Sequence, residues 1–520
     1  MKSVIATCVI HIASKAKNYL FCILSAVLLI LSFPNYNIWL LAWFGFIPLF
    51  FAVKDKSKGK AFLLAYFTGI IFWAGVIYWL MHVTLLGLIL LVLYLALYFG
   101  IFGLILSVVK YKSSVASLLF IPVVWVILEF VREHLFTGFP WTLLGYSQYL
   151  NLPIIQIADI TGVWGVSFLV MLVNVMLWKL MQGTRLQTKR IYLLCTLCVF
   201  ATLVYGYYKI HFLTLNPRLS VRQAYPLSIK VSVIQSNIPQ ELKWEPTARD
   251  YILDRFTQLT ERAAGDNPDL IVWPEASSPE IFGQEYRAYE RILNLSTKIK
   301  IPLLIGAVVR ENEKYFNSAL LISGSDAIGG RYDKLHLVPF GEYIPLKRFL
   351  PFLETIVPIG DFNKGREHTI FRIAAGHSRS GRLHNFAVLI CFEDLFPELS
   401  RQFTKRGADF LINITNDAWY KKTSAPYQHM VASVFRAVEN RIYLVRAANT
   451  GISGFIAPSG KITSLVHDQA GREIFVEGYR TQEVTIVKRQ LSFYSRYGDV
   501  FIAGCFLLAL YVIISALKKK

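Results

Sequence analysis

The sequence predicts a multi-pass α-helical membrane protein of about eight transmembrane helices with an inserted α/β domain, and three observations predict it. The chain is 54% hydrophobic and only 17% charged, too apolar for a water-soluble protein of 520 residues. Its long apolar runs are confined to residues 1–212 and 498–517, whereas 213–497 has the mixed composition of a globular domain. Lysine and arginine recur in every second connection between the apolar runs, as they do in cytoplasmic loops.

Each span follows from its length. A bilayer-crossing helix needs roughly 17 to 25 residues, and runs of that size lie near 18–35, 37–53, 61–82, 84–109, 114–131, 160–181, 190–209 and 498–517. The first is read as an uncleaved span, because no small-residue cleavage site follows Phe33 and the next run begins almost at once. Basic clusters precede the first span (Lys15, Lys17), separate the second from the third (Lys54, Lys56, Lys58, Lys60) and follow the fourth (Lys110, Lys112). They also separate the sixth from the seventh (Lys179, Arg185, Lys189, Arg190) and follow the eighth (Lys518, Lys519, Lys520).

Both termini are therefore expected in the cytoplasm, and seven crossings carry residues 213–497 to the other face. The expected organisation is seven transmembrane helices over 1–212, an exported domain over 213–497, and a final helix with a basic tail over 498–520. The net charge of +20 fits membrane-proximal lysines meeting anionic lipid. No module of interleaved arginine and aromatic residues points to nucleic acid.

Within the exported domain, "IKVSVIQSNI" (229–238), "LIVWPEAS" (270–277), "IPLLIGAVV" (301–309), "NSALLIS" (317–323), "NFAVLICFED" (385–394) and "DFLINITND" (409–417) read as strands ending in polar residues. Residues 249–264 and 425–443 read as helices. Continuous apolar strands alternating with helices predict a sheet covered by helices.

Three strand ends carry chemically useful side chains. Glu275 follows "IVWP", Cys391 follows "VLI", and Lys334 lies in "RYDKLHLVPFGEY" after a turn-like "SGSDAIGG". Cys391 is the only cysteine of the exported domain; Cys8, Cys22, Cys195, Cys198 and Cys505 lie in or beside apolar runs. A thiol needs a base or a cation to act as a nucleophile at neutral pH. Glu275 can take its proton, while Lys334 and the backbone N–H of Phe392 can stabilise an oxyanion, which makes a kit for acyl transfer through a thioester. A lone thiol can alternate between free and acylated forms with no neighbour to trap it as a disulfide. His336 and His384 lack a metal-site spacing, and His429 reads as structural, so no metal or other cofactor is expected.

The stretches "VWPEAS", "YDKLHLVPFGEYIP" and "ICFEDLF" resemble the three signature regions of the nitrilase, or carbon–nitrogen hydrolase, superfamily, in the same order. That resemblance implies an αββα sandwich and a Glu-Lys-Cys triad. Over essentially the whole chain, seven spans, a nitrilase-like domain and one last span resemble the apolipoprotein N-acyltransferase family, with "TGFPW", "GYSQ", "NIPQELKW" and "NDAWY" as further matches. Carried over, Glu275 is the general base, Lys334 the oxyanion stabiliser and Cys391 the nucleophile, and Glu342 is a supporting carboxylate. Trp244, Phe392, Glu393 and Trp419 match supporting or substrate-binding positions. Phe392 stands where many members have tyrosine.

The resemblance implies a phospholipid acyl donor, typically phosphatidylethanolamine, whose sn-1 chain passes through the cysteine. The acceptor is the α-amino group of S-diacylglyceryl apolipoproteins, at the outer leaflet of a bacterial inner membrane, with the catalytic domain periplasmic and a monomer as the expected state. The apolar stretch 349–362 is expected to form a lipid-contacting lid, and 135–150 is open to two readings, the membrane side of the entrance or interfacial packing. Residues alone leave two rivals open: a membrane-anchored amidase using water as acceptor, and a non-catalytic lipoprotein-binding protein.

Overall fold

The computed structural model describes residues 2–108, 115–183, 187–215, 228–282, 284–323, 327–344, 362–374, 383–486 and 490–518. The expected lid lies outside them apart from Phe362. The chain forms two compact units, Met1–Ile210 with Thr423–Gln428 and Asp499–Lys520, and His211–Lys422 with His429–Gly498.

The first unit is helical. Among the described residues three helices are long and apolar enough to cross a membrane, Lys58–Val76, Leu85–Val108 and Val163–Met181. Of the about eight expected spans, these three meet the length and composition of a crossing helix among the described residues. Ala16–Leu31, Trp39–Val53, Leu152–Thr161 and Val500–Ser515 are apolar but shorter. The expected span 37–53 is broken into a 3-10 turn, Trp39–Trp43, and a short helix, Ile47–Val53, with Pro48 in its first turn. Asn174 repairs the break: its Oδ1 accepts the amide of Phe46 at 2.9 Å and its Nδ2 donates to Ala42 O at 2.8 Å. An apolar surrounding offers an open backbone group no other partner. Segment 135–150 packs into this unit. The Leu144 and Gly145 amides donate to Glu129 Oε1 (2.6 Å) and Ser167 Oγ (2.8 Å), and Trp141, Leu143 and Tyr146 are buried.

The second unit holds twelve strands among the described residues, in two six-stranded sheets. The first comprises β1 (Ser228–Gln235), β2 (Leu270–Val272), β3 (Leu303–Glu311), β4 (Lys314–Ser323), β5 (Ala327–Asp333) and β12 (Gly478–Thr485), in the order β12-β1-β2-β3-β4-β5. The second comprises β6 (Phe371–Ala374), β7 (Leu383–Ile390), β8 (Phe410–Thr415), β9 (Tyr443–Ala448), β10 (Gly454–Ile456) and β11 (Ile462–Leu465), in the order β11-β10-β9-β8-β7-β6. β1-β2-β3 and β7-β8-β9 are parallel, and every other pairing is antiparallel. The two sheets thus share one strand plan. Helices cover them, giving an αββα sandwich.

Helix Arg249–Ala264 forms over the expected residues, since Ile252, Leu253, Phe256, Leu259 and Ala263 recur on one face and are all buried. Phe256 stacks on Trp273 at 4.4 Å, and the indole N–H donates to Thr260 Oγ1 at 2.9 Å. Burying rings of this size contributes roughly 1.5–3 kcal/mol each. With helix Arg287–Ile299 they close one core over the outer face of the first sheet.

The expected strands overran their ends. β2, β7 and β8 stop at Val272, Ile390 and Thr415, so Glu275, Cys391 and Asp417 stand in the turns that follow. Strand β5 begins inside the segment 323–330 read as a turn, and β9 to β12 and helices Arg287–Ile299 and Pro397–Arg406 carry no expectation in the sequence reading.

Candidate active site

Four expected residues come together in the second unit: Glu275, Lys334 and Cys391 just past the ends of β2, β5 and β7, and Glu342 from the loop after Lys334. Lys334 follows β5 directly, and its amide donates to Asn317 O across the β4–β5 ladder at 2.9 Å. Its Nζ lies 2.9 Å from Glu342 Oε1 and 3.5 Å from Glu275 Oε1, and the side chain is 1% exposed. Burial alone would lower this lysine; Glu342 and then Glu275 outweigh it, leaving the ammonium held well above its ordinary value. It is therefore charged throughout the neutral range.

Glu275 lies two residues beyond Trp273 in a tight turn with Ala276 at φ +44°. Its carboxylate is gripped at both oxygens: Oε1 accepts from Asn317 Nδ2 at 2.8 Å and Oε2 from the amide of Asn416 at 2.9 Å. Asn317 Nδ2 also donates to Glu342 Oε1 at 2.7 Å, and Glu342 Oε2 accepts the Val338 amide at 2.8 Å. Two carboxylates thus share one ammonium and one amide. Asn317 lies inside β4 and Asn416 just past β8, and their grip on Glu275 became visible only through the fold.

Cys391 begins the 3-10 turn Cys391–Leu395, buried, at φ +56°. Side chains rarely adopt this conformation, so the surroundings must hold it. Asn413 Nδ2 donates to Cys391 O at 2.8 Å. Burial first, then the Glu275 carboxylate, raises the thiol well above its ordinary value, and Lys334 opposes them. The resting side chain is therefore a thiol.

Glu393 fastens this turn to the lysine loop. Its Oε2 accepts the Ile390 amide at 2.7 Å; its Oε1 accepts the amides of Leu335 (2.7 Å) and His336 (3.0 Å), and Tyr332 Oη donates to the carboxylate. Burial raises Glu393 to about 7, against the pull of these donors and of Lys334. Phe392 is half-buried with its ring 5.4 Å from Lys334 Nζ. Trp244 and Trp419 are 46% and 53% exposed, so neither belongs to the core.

Behind Cys391 lies a buried polar layer of which the sequence reading anticipated only a structural His429. Its Nδ1 lies 2.9 Å from Asp417 Oδ1 and its Nε2 3.0 Å from Asp394 Oδ1. Arg446 reaches the other oxygens of both aspartates at 3.1 and 3.3 Å, and Ser433 Oγ donates to Asp394. Arg446 also donates to Asn413 Oδ1 at 2.7 Å, tying the layer to the residue that holds the Cys391 carbonyl. Burial and Arg446 would lower His429, but the two aspartates raise it to about 8. Among the described residues no group of three His, Cys, Asp or Glu side chains is arranged to hold a metal ion.

Comparison with known proteins agrees in both units. Residues 25–176 match the apolipoprotein N-acyltransferase N-terminal domain, and 230–497 match carbon–nitrogen hydrolases. An apolipoprotein N-acyltransferase of Geobacter metallireducens is 41% identical, covering 97% of this chain and 96% of its own length. That of Haemophilus influenzae is 30% identical, with 87% of each chain covered. Among solved structures, a nitrilase-superfamily protein of Saccharomyces cerevisiae aligns with a TM-score of 0.37 and 22% identity, over 52% of this chain and 94% of its own. The signature regions that carry Glu275, Lys334 and Cys391 thus sit in a chain matched by such enzymes almost end to end, and it belongs to the apolipoprotein N-acyltransferase family.

Proposed function

We propose that the protein moves the sn-1 acyl chain of a phospholipid, phosphatidylethanolamine foremost, to the α-amino group of the S-diacylglyceryl cysteine that begins a lipoprotein. The observation that carries this reading is the convergence of Glu275, Lys334, Glu342 and Cys391, in a chain aligned over 97% of its length with an apolipoprotein N-acyltransferase.

In this reading Glu275 takes the Cys391 proton as the sulfur attacks the ester carbonyl. The oxyanion forms against Lys334 and the Phe392 N–H, stabilised by fixed charge in a dry site. Collapse breaks the ester C–O bond, and the departing lysophospholipid oxygen takes the proton back from Glu275, leaving a thioester. The acceptor amine then attacks the thioester carbon, gives its proton to Glu275, and the thiolate leaves and is reprotonated. Glu342 holds Lys334 in place between the two carboxylates. Glu393 keeps the nucleophile turn closed, and Trp244 and Trp419, both exposed, meet acyl chains.

The proposed organisation is a membrane part over 1–212, a periplasmic catalytic domain over 213–497 and a last span over 498–520. Eight crossings, cytoplasmic termini, an inner-membrane location and a monomeric state complete it. The alternation of basic connections supports this topology. The test is to incubate the purified protein with phosphatidylethanolamine and no acceptor, then search peptides for a fatty acyl mass on Cys391 that hydroxylamine removes. Its presence, and its loss in Glu275→Ala, are expected. An unmodified Cys391 in folded protein would overturn the reading.

A further inference from the structure

Lys243 is a buried lysine that the acyl-transfer steps leave unused. It closes the 3-10 turn Gln240–Leu242 in "NIPQELKW", is 6% exposed, and its Nζ donates to the main-chain oxygen of Glu275 at 3.1 Å. The turn it grips is strained by the positive φ of Ala276. Residues of the same loop reach the Glu275 carboxylate by a second route. Gln240 Oε1 accepts Asn416 Nδ2 at 2.8 Å, and the Asn416 amide donates to Glu275 Oε2 at 2.9 Å. Both ends of Glu275 are thus held from residues 240–243.

The charges around the pair explain why a cation is needed. Glu275 and Cys391 face Lys334, Glu342, Glu393, Asp417 and Tyr420, and Lys334 is already shared between two carboxylates. Burial lowers Lys243 to about 8, while Glu275 and then Cys391 pull it up. Such coupling is mutual: anions that hold the lysine proton are themselves held by the lysine charge.

We infer that Lys243 is the positioning residue of the general base, fixing the Glu275 carbonyl and supplying the second positive charge that stabilises the anion as it passes from the Glu275 carboxylate to the Cys391 sulfur. This rests on the reading of Glu275 as base. The proton moves from sulfur to carboxylate oxygen; Lys243, lowered to about 8, supplies its charge below that pH and gives up no proton in the step.

The test is the rate of Cys391 alkylation by iodoacetamide against pH, in the full-length detergent-solubilised protein, with thermal stability measured on each variant. Lys243→Met should slow alkylation about tenfold at about pH 7, and the deficit should close as the pH rises above about 8, where the wild-type lysine loses its charge. Lys243→Arg should return most of the neutral-pH rate, and Lys243→Gln gives the same comparison if the methionine variant does not fold. A neutral-pH rate unchanged in Lys243→Met and Lys243→Gln, whatever their stability, overturns the inference. Glu275→Gln separates the two readings: an unshifted profile there removes Glu275 as base, whereas a shift there with none in the Lys243 variants removes Lys243 alone.

Discussion

The turn that carries the proposed base, Glu275, can be perturbed without touching a proposed reacting group, through Gly306→Ala. Gly306 lies in β3 directly against the Glu275 turn, and an added Cβ would stand 2.5 Å from Ala276 N and Pro274 O and 2.6 Å from Glu275 Cα. Ordinary carbon contacts lie near ~3.5–4.0 Å, and all three neighbours are backbone, so strand and turn must part by about 1 Å. Four hydrogen bonds oppose that separation. Gly306 N donates to Pro274 O at 3.2 Å, and Gly306 O accepts from Ser277 N (2.8 Å), Ser277 Oγ (3.0 Å) and Ser278 N (3.1 Å). We expect overpacking to cost roughly 1–3 kcal/mol. A base displaced by about 1 Å should slow acylation on the order of 100-fold. The assay is single-turnover formation of acyl-Cys391 from phosphatidylethanolamine, followed by mass spectrometry and paired with thermal unfolding. Gly329→Ala is the control, since its nearest neighbour is 3.6 Å away. A folded Gly306→Ala protein acylated within about threefold of wild type would refute the claim that this close approach sets the base.

Lys334→Met should leave Glu275 and Glu342 buried without their shared cation, costing roughly 3–5 kcal/mol and slowing acylation at least ~100-fold. Adding Glu342→Gln should recover stability in thermal unfolding but not acylation; recovery of neither would contradict the charge balance described. His429 gives a pH signature. Its folded value, about 8, lies above the ordinary 6.5, so its contribution is fully present below pH 6.5 and is lost as pH rises through 8. That amounts to about 2 kcal/mol. The melting temperature of the wild type should therefore fall more steeply across this window than that of His429→Gln, and parallel curves would count against an imidazolium between the aspartates.

How much of the site was legible follows from what each residue needs. Glu275 and Cys391 were legible as candidates, because a reactive side chain just past an apolar strand is a local pattern, whereas the strand before Lys334 was read as a turn; the switch from long apolar runs to mixed composition at residue 213 is local too. Helix Arg249–Ala264 was equally legible, its apolar face being written in the 3.6-residue period. Asn317, Asn416, Asn413 and Lys243 were not, since each matters only through a partner at least 22 residues away in the chain. The break at Phe44–Phe46 escaped the hydropathy reading for the same reason: Asn174, more than a hundred residues on, supplies the hydrogen bonds that permit it.

By itself the sequence determined the order of apolar and mixed-composition parts, the helix and strand periods, and three side chains suited to the proposed thioester chemistry. Those depend on composition and near-neighbour spacing, to which solvent responds directly. Only the tertiary structure decided that Lys334 serves two carboxylates, that Glu393 ties the Cys391 turn to the lysine loop, and that His429 joins two aspartates. Hydrogen bonds and buried charges act over about 3 Å, and folding, not sequence distance, brings such groups within that reach.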